Sequence, residues 1–372
     1  MDMKNAENVK PEYLSKEEKE NLIEVGYDVE EKERGGSFIQ QDDRILFFTG
    51  LRKGVEIIPI DEAIEKYPEV KSKYYGKAFR KLGEDFEKDT KGGYFIRVKK
   101  GVKVAFPVQV CLLLKKEGFR QKVHNLIIVE ENASLYLITG CASSKSAYES
   151  YHLGISEFYV HKNGFLNFTM VHSWKKDIEV EPKSVSVVDE GGVFLSNYIS
   201  LKPVKRIKMY PACILEGANS SARFNSIILG HEGSFQDIGA RVILKNRKTS
   251  AEIVSRAVSL GGEMDVRGDI VAESSDVKAH IECRGLMVKE KGKIHAVPEL
   301  ESFYRDVELT HEAAIGKIKR EEIEYLASRG ISEDEAQSII IRGFIDVEIL
   351  GLPPVLKDEI KKVMERSVSG GM

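Results

Sequence analysis

The sequence predicts a mainly β chain whose body is a right-handed parallel β-helix, flanked by an N-terminal and a C-terminal helical domain. Three observations carry this. Strand-like runs rich in β-branched and aromatic residues dominate from Tyr94 to about residue 310, polar or glycine-rich corners recur at an even spacing, and helical periodicity is confined to the two ends. The right hand follows from the crossover rule for parallel strands.

The spacing is the most specific of the three. Between Leu215 and Ile294 a strand ending in Leu or Val runs repeatedly into a corner: "ILEGANS", "ILGHEGS", "ILKNRKTS", "SLGGEMD", "IVAESSD" and "LMVKEKG". With corners at Gly217, Glu232, Asn246, Gly261, Ser275 and Lys291, successive steps are 15, 14, 15, 14 and 16 residues. Two steps make one coil of about thirty residues, the period of a solenoid whose coils bury their inner faces on one another. A hairpin meander would carry frequent Asn-Gly or Asp-Gly turns, and these are lacking. Earlier corners at "EENAS", "HKNG" and "DEGG" extend the pattern toward residue 130.

The β-helix is placed at residues 94–312, after a mainly helical segment at 1–93 and before a helical one at 313–372. In the first, "KEEKENLIEVGY" and "DEAIEKYPEVKSKYYGKAFRKLGEDF" repeat apolar residues at three- and four-residue steps, and Gly92-Gly93 marks the boundary. In the last, "KREEIEYLASRG" ends on Gly330, Ser332 and Glu335 stand in capping-box spacing, and Pro353-Pro354 breaks the chain before a final helix.

Composition narrows the function. The 59 acidic and 56 basic residues leave a net charge of −3, which provides no general field for nucleic acid or an anionic membrane. The N-terminal residues lack an apolar signal region and no run approaches the ~18 apolar residues of a membrane span, so a cytoplasmic protein is expected. Four scattered cysteines, with no CxxC, exclude a disulfide framework, a zinc ribbon and a ferredoxin. No P-loop, GxGxxG, GxSxG or HExxH occurs, so nucleotide hydrolysis would belong to another chain.

What remains is a set of separated soft and borderline ligands. Cys283, in "VKAHIECRGLMV", shares one strand face with Ala279, Ile281 and Gly285, so it points inward; by residue type alone, that is more often a small core residue than a ligand. His311 and Glu312, in "DVELTHEAAIGKI", stand where the last strand is expected to give way to helix. Adjacent residues of a strand face opposite ways, so both can ligate one metal only if the backbone bends there. Helix capping is the blander reading of the pair. Cys141, in "YLITGCASSK", is expected on a partly exposed loop suited to a reactive thiol, Cys213 in the core, and Trp174 and Gln236-Asp237 in structural roles.

These segments resemble the SufB/SufD family of iron–sulfur assembly proteins. The family's "GC" falls on Gly140-Cys141, a "QNW"-like stretch reads "HSW" at Trp174, "YPSCIL" reads "YPACIL", a Q-D-G pattern falls on Gln236, Asp237 and Gly239, and "CRGLM" follows at Cys283. The most specific fragment is "THEAAIGKIKREEIEYLASRGISEDEAQSIIIRGF". The match runs from about residue 125 to 350, and the order and spacing of the fragments carry it.

The resemblance implies a parallel β-helix scaffold, not an enzyme. It also implies a transient iron–sulfur cluster, a SufC-like ABC ATPase docked on residues 313–372, and apo-protein acceptors. Cluster formation would fall where two β-helix subunits meet. Family counterparts of Cys283 and Glu312 are tied to cluster assembly, that of Cys141 to sulfur entry, and SufD carries a histidine where His311 stands. Thr310 replaces a family glutamate and Arg284 a usual aspartate, and the short chain points to one subunit pairing with itself as a homodimer. Two rivals remain at this stage: a structural SufD-like subunit without its own cluster, and a β-helix carbohydrate-active enzyme.

Overall fold

In a computed structural model, residues 14–345 are described, apart from 28, 30–33 and 87–88. The chain is mainly β, and its strands form two sheets of ten and eleven strands wound as a parallel β-helix of about 8 turns. Each coil contributes strands to both sheets. Thus Ser221–His231 is followed across a corner by Phe235–Leu244, and the next coil repeats this with Ser250–Leu260 and Glu263–Ala272. Register is exact to the residue: Ser221 lies on Ser250, Ser250 on Lys278, and Lys278 on Glu308. The expected fifteen-residue step is half of that coil.

The corners explain the period. Asn132, Asn163, Gly191, Asn219, Lys248 and Asp276 occupy the left-handed region, with φ of 58°, 52°, 64°, 60°, 58° and 58°. Asn, Asp and Gly tolerate that region best. Each of these residues donates its N–H to a corner carbonyl of the next coil, from Asn132 to Lys162 at 2.9 Å through to Asp276 to Asp306 at 2.7 Å. One stacked column of turns therefore fixes the register from Asn132 to Asp276, and each of these six corner amides is paired.

Inside, the two sheets close on a continuous apolar core. Outside, the ten-stranded sheet is covered by apolar residues of helices Lys16–Glu24 and Glu333–Ile345, and the eleven-stranded sheet by Ile60, Ala63, Val70, Ala78 and Phe79. Among the described residues, no helix is long and apolar enough to cross a membrane.

Both ends depart from the sequence reading. Before Gly92-Gly93 there are helices at Lys16–Glu24, Ile60–Lys66 and Lys77–Lys81, but also strands Gly36–Gln41, Arg44–Gly50 and Val55–Pro59. These strands join the sheets, Gly36–Gln41 pairing parallel with Val108–Leu114 and Val55–Pro59 antiparallel with Tyr94–Val98. Gly92 and Gly93 form a kink with φ of 78° and 104°, yet Phe38, Val55 and Ile57 belong to the same core as Tyr94, which therefore runs across the expected boundary. At the other end, the last strand runs Val307–Lys317, past residue 312. Helices Arg320–Ala327 and Glu333–Ile345 follow, with Gly330 at φ 86° and the Glu335 N–H donating to Ser332 Oγ at 3.3 Å. The Pro353-Pro354 break and the final helix lie outside the described residues.

Candidate functional site

The strand Val277–Met287 alternates as expected: Ala279, Ile281, Cys283 and Gly285 point into the solenoid. Cys283 sits between Ser255 and Ala313 in register and is 1% exposed. Burial pushes its thiol up to about 11, aided by the neighbouring Glu282 carboxylate and opposed by Arg256. In the resting chain this sulfur is a protonated thiol rather than a metal-ready thiolate.

His311 lies on Ile281 in register, and therefore on the same inner face as Cys283, one strand across and two residues back. That offset is about 4.8 Å sideways and about 6.6 Å along the strand direction. Among the described residues, no further strand stacks on Val307–Lys317 in the sheet order, and the strand is exposed through nearly its whole length. His311 thus stands at the open mouth of the solenoid, with Cys283 one layer deeper.

Glu312 is placed differently. The backbone does not bend between the two residues; Ala313 and Ala314 continue the strand in register with Cys283 and Arg284. Glu312 therefore faces outward beside Glu282, and Arg284 Nη2 reaches it at 3.2 Å. The same Arg284 holds Glu282 through Nε at 2.6 Å, and Glu282 also accepts from Arg256 Nη2 at 2.7 Å. The bend that ligation of one metal by both residues would require is absent because the strand continues to Lys317. Among the described residues, no three His, Cys, Asp or Glu side chains converge as a metal cage. Thr310 also faces outward, its hydroxyl 2.8 Å from His280 Nδ1.

Cys141 is not on an exposed loop. It lies within strand Ser134–Ser143, 1% exposed, pointing into the core in register with His172. Around it is a cluster that the residue pattern did not single out. His172 Nδ1 lies 2.9 Å from the Tyr198 hydroxyl, the Trp174 ring is 5.3 Å from His172 and 5.1 Å from His152, and His152 Nδ1 is 2.8 Å from Gln121 Oε1. Burial pushes the Cys141 thiol up, His172 well below its usual value and His152 down to about 3, so every member is neutral. His172 Nε2 and Trp174 Nε1 are buried without a hydrogen-bond partner, an exception that calls for a role. The signal was available: writing the sequence out at the coil period puts His172 directly on Cys141.

The two cysteines stand in neighbouring columns of the register: that of Cys141 runs through His172, Ser200, Ile228 and Ala257 to Gly285, two residues beyond Cys283. On the inner face, Met170, Tyr198, Ser226, Ser255 and Cys283 form one column across successive coils. Its first four residues help line an interior cavity of about 30 Å³, and Ser226 donates to Ser255 at 2.9 Å. The volume suits a single water-sized guest. Cys213 is in the core as expected, its thiol pushed up to about 12 by burial. Cys111 faces outward instead, beneath the residues that follow helix Lys16–Glu24.

A β-helix that offers a thiol and an imidazole on one face of an open end, with a polar interior column behind them, has the form of a scaffold for a small inorganic guest. Comparison with known proteins makes the class specific. The description "SUF system FeS cluster assembly, SufBD core domain" matches residues 112–344, and the chain belongs to this SufBD family of iron–sulfur cluster assembly proteins. It is 47% identical over 352 residues to an iron–sulfur cluster assembly SufBD family protein of Archaeoglobus fulgidus, covering 94% of each chain. A SufBD family protein of Methanothermobacter thermautotrophicus is 42% identical, over 96% of this chain and 89% of its own. The iron–sulfur cluster assembly protein SufB of Bacillus subtilis is 32% identical, over 76% of this chain and 61% of its own.

Proposed function

We propose that this chain is a cytoplasmic scaffold that builds a transient iron–sulfur cluster and passes it to apo-proteins. A SufC-like ABC ATPase on another chain would drive it, docked on the C-terminal helical segment, residues 313–372. The observation that supports this best is the placement of Cys283 and His311 on one inner face at the uncapped end of the β-helix. Thiolate and imidazole both suit iron, and two such donors make a less complete cage than the four cysteines of a permanent cluster site. Release is correspondingly easier.

The open end also supports a homodimer. Two copies meeting there about a two-fold axis would cover each other's last strands and bring two Cys283 and two His311 together. Glu312 adds a carboxylate if the edge strand twists locally. Cys141 is the point of sulfur entry, upstream of Cys283. Burial of Cys283 then has a purpose: the site stays closed until the docked ATPase rearranges it, and shifting such an equilibrium from 1:99 to 99:1 takes about 5.5 kcal/mol of differential binding.

Anaerobic reconstitution with iron and sulfide tests this, read by absorption and Mössbauer spectra. Wild type is expected to form a cluster, while Cys283→Ser folds, dimerises and binds the ATPase but forms none. Cys141→Ser still accepts a cluster from free sulfide. Deletion of residues 319–372 abolishes co-purification with the ATPase. One observation favours a second reading: Cys283 is buried and protonated, as a structural SufD-like subunit would keep it. A wild type that takes up no iron and sulfide would decide for that reading, whereas normal content in Cys283→Ser would move the search for the ligand to Cys141 and Cys213.

A further inference from the structure

Three buried polar atoms without a hydrogen-bond partner gather around Cys141. Ser143 Oγ is two residues further along the same strand and points inward as Cys141 does, its register partner Leu114 lying in the same core. His172 Nε2 belongs to the residue in register with Cys141, and Trp174 Nε1 to a ring centred 5.3 Å from that of His172. The three side chains are only 1%, 3% and 3% exposed. An unpaired polar group is costly to bury, and native chains keep few of them. All three can donate. An indole N–H does nothing else, and a serine hydroxyl is free to. For His172 the tautomer decides: Nδ1 lies 2.9 Å from the Tyr198 hydroxyl, and Ser200, in register with His172, hydrogen-bonds the same Tyr198. With Ser200 donating to the phenol oxygen, the phenol hydrogen goes to Nδ1, and the neutral imidazole carries its own hydrogen on Nε2. Three donors with no acceptor among them then stand beside one sulfur.

We infer that Ser143, His172 and Trp174 form a cradle for one added sulfur atom, the outer atom of a persulfide anion on Cys141, and that Tyr198 is a positioning residue that sets the His172 tautomer. This rests on the reading of Cys141 as the point of sulfur entry. A hydrodisulfide is a stronger acid than the thiol it replaces, so the added sulfur is held as an anion where burial keeps the bare thiol neutral. Donors that find no use beside the thiol thus find one beside the persulfide. Room is at hand: the interior cavity of about 30 Å³ is lined by Met170 and Tyr198, each two residues before His172 and Ser200 on the same face. Loading is a sulfur transfer from a persulfide donor, RSSH. The Cys141 sulfur attacks the donor's outer sulfur, the donor's S–S bond breaks as the new one forms, and RS− leaves with the proton of Cys141. The new hydrodisulfide then gives its own proton to solvent, and no oxidant or reductant is needed.

The test treats the anaerobic full-length chain with glutathione persulfide and removes the excess. Peptide mass spectrometry reads the sulfur added to Cys141, and cyanide then strips it, the thiocyanate released giving its lifetime. Trp174→Phe, which removes the N–H and keeps a ring, is expected to shorten that lifetime about tenfold, the scale of one hydrogen bond to a charged group. His172→Leu and Tyr198→Phe should shorten it too, whereas His172→Gln, which restores an N–H, should keep the wild-type lifetime. Alkylation of the unloaded Cys141 thiol by iodoacetamide separates the cradle from mere packing: its rate should match wild type in Trp174→Phe, whereas a loosened core would speed alkylation and stripping together. Wild-type lifetimes in Trp174→Phe and His172→Leu overturn the cradle, and so does alkylation that quickens in step with stripping. A wild type that gains no sulfur on Cys141 overturns the reading of that residue as the entry point, and the cradle falls with it. If Cys141 loads and every variant holds the sulfur equally well, only the cradle fails.

Discussion

Two strands of the same sheet, Ser134–Ser143 and Val307–Lys317, have nearly the same length and opposite fates. The first has strands stacked on both sides and is buried from Leu137 to its end; the second has a neighbour on one side and is exposed almost throughout. Their chemistry follows the stacking rather than the residue types. Cys141 and His172, inside the stack, are locked in their neutral forms, whereas His311 at the mouth is open to solvent. A solenoid thus produces two kinds of site from one motif: a dry interior that can guard a reactive sulfur, and an unfinished end that can meet a partner.

The largest effect should come from interfering with the unfinished end. Ile315 is 48% exposed and lies on the same rim as His311, two strand positions beyond Ala313. If a second copy covers this rim, Ile315→Lys places a charge in the interface while costing the single subunit little. Light scattering should show wild type as a dimer and the variant as a monomer with an unchanged circular dichroism spectrum. A wild type that is monomeric both alone and with a SufC-like ATPase would remove the premise that this end is completed by a second copy.

A pair of glycines sharpens the comparison at the level of packing. Gly140, beside Cys141, faces outward under the chain that follows the first helix. A Cβ there would stand 2.2 Å from Val25 Cγ2, 2.6 Å from Val25 Cβ and 3.1 Å from the Val25 carbonyl oxygen. Gly316, in the edge strand, has nothing within 4 Å of the same added atom. Gly140→Ala should therefore cost about 1–3 kcal/mol by overpacking, with the N-terminal helix displaced, and Gly316→Ala no more than about 0.5 kcal/mol. Urea melts of the two variants measure the difference directly; equal effects would mean that the two strands are not packed as differently as they are drawn here.

The same contrast explains what could be read from sequence. The coil period was legible because each corner needs a left-handed residue, and Asn132, Asn163, Gly191 and Asn219 print that need in the sequence. The direction of Cys283 was legible because strand alternation is local. The environment of Cys141 was not: "GCASSK" has the small polar residues of a loop, but the strand forms because neighbours at Cys111–Leu114 and Val171–Ser173 pair with it from distant parts of the chain. His311 and Glu312 were read at the end of the last strand because helical periodicity begins soon after them, whereas five more residues pair with the Cys283 strand before it ends. The strands at 36–59 were not placed individually for a similar reason, being short runs among helices whose partners lie in the solenoid.

The smallest expected effect separates the two cysteines by their protons. Burial raises Cys283 from 9.0 to about 11, while the more enclosed Cys141 is raised further. A thiol whose pKa is higher in the folded chain than in the unfolded one holds its proton more tightly when folded. Its contribution to stability is therefore complete below about pH 9 and is lost as pH rises through about 11. Two pKa units correspond to about 2–3 kcal/mol, an upper bound for a group that retains some contact with solvent. Urea midpoints should accordingly fall between pH 9 and 11 in wild type and fall less in Cys283→Ser, with the difference in thiolate absorbance between the two proteins titrating near 11. Cys141→Ser should flatten this window at least as much, because that thiol stays protonated in the folded chain while the unfolded chain ionises; the two variants differ above pH 11, where the contribution of Cys283 to the slope has ended and that of Cys141 continues. If the two serine variants also change the profile equally above pH 11, the mouth of the solenoid is as enclosed as its interior, and access to Cys283 must then come from a rearrangement of the scaffold.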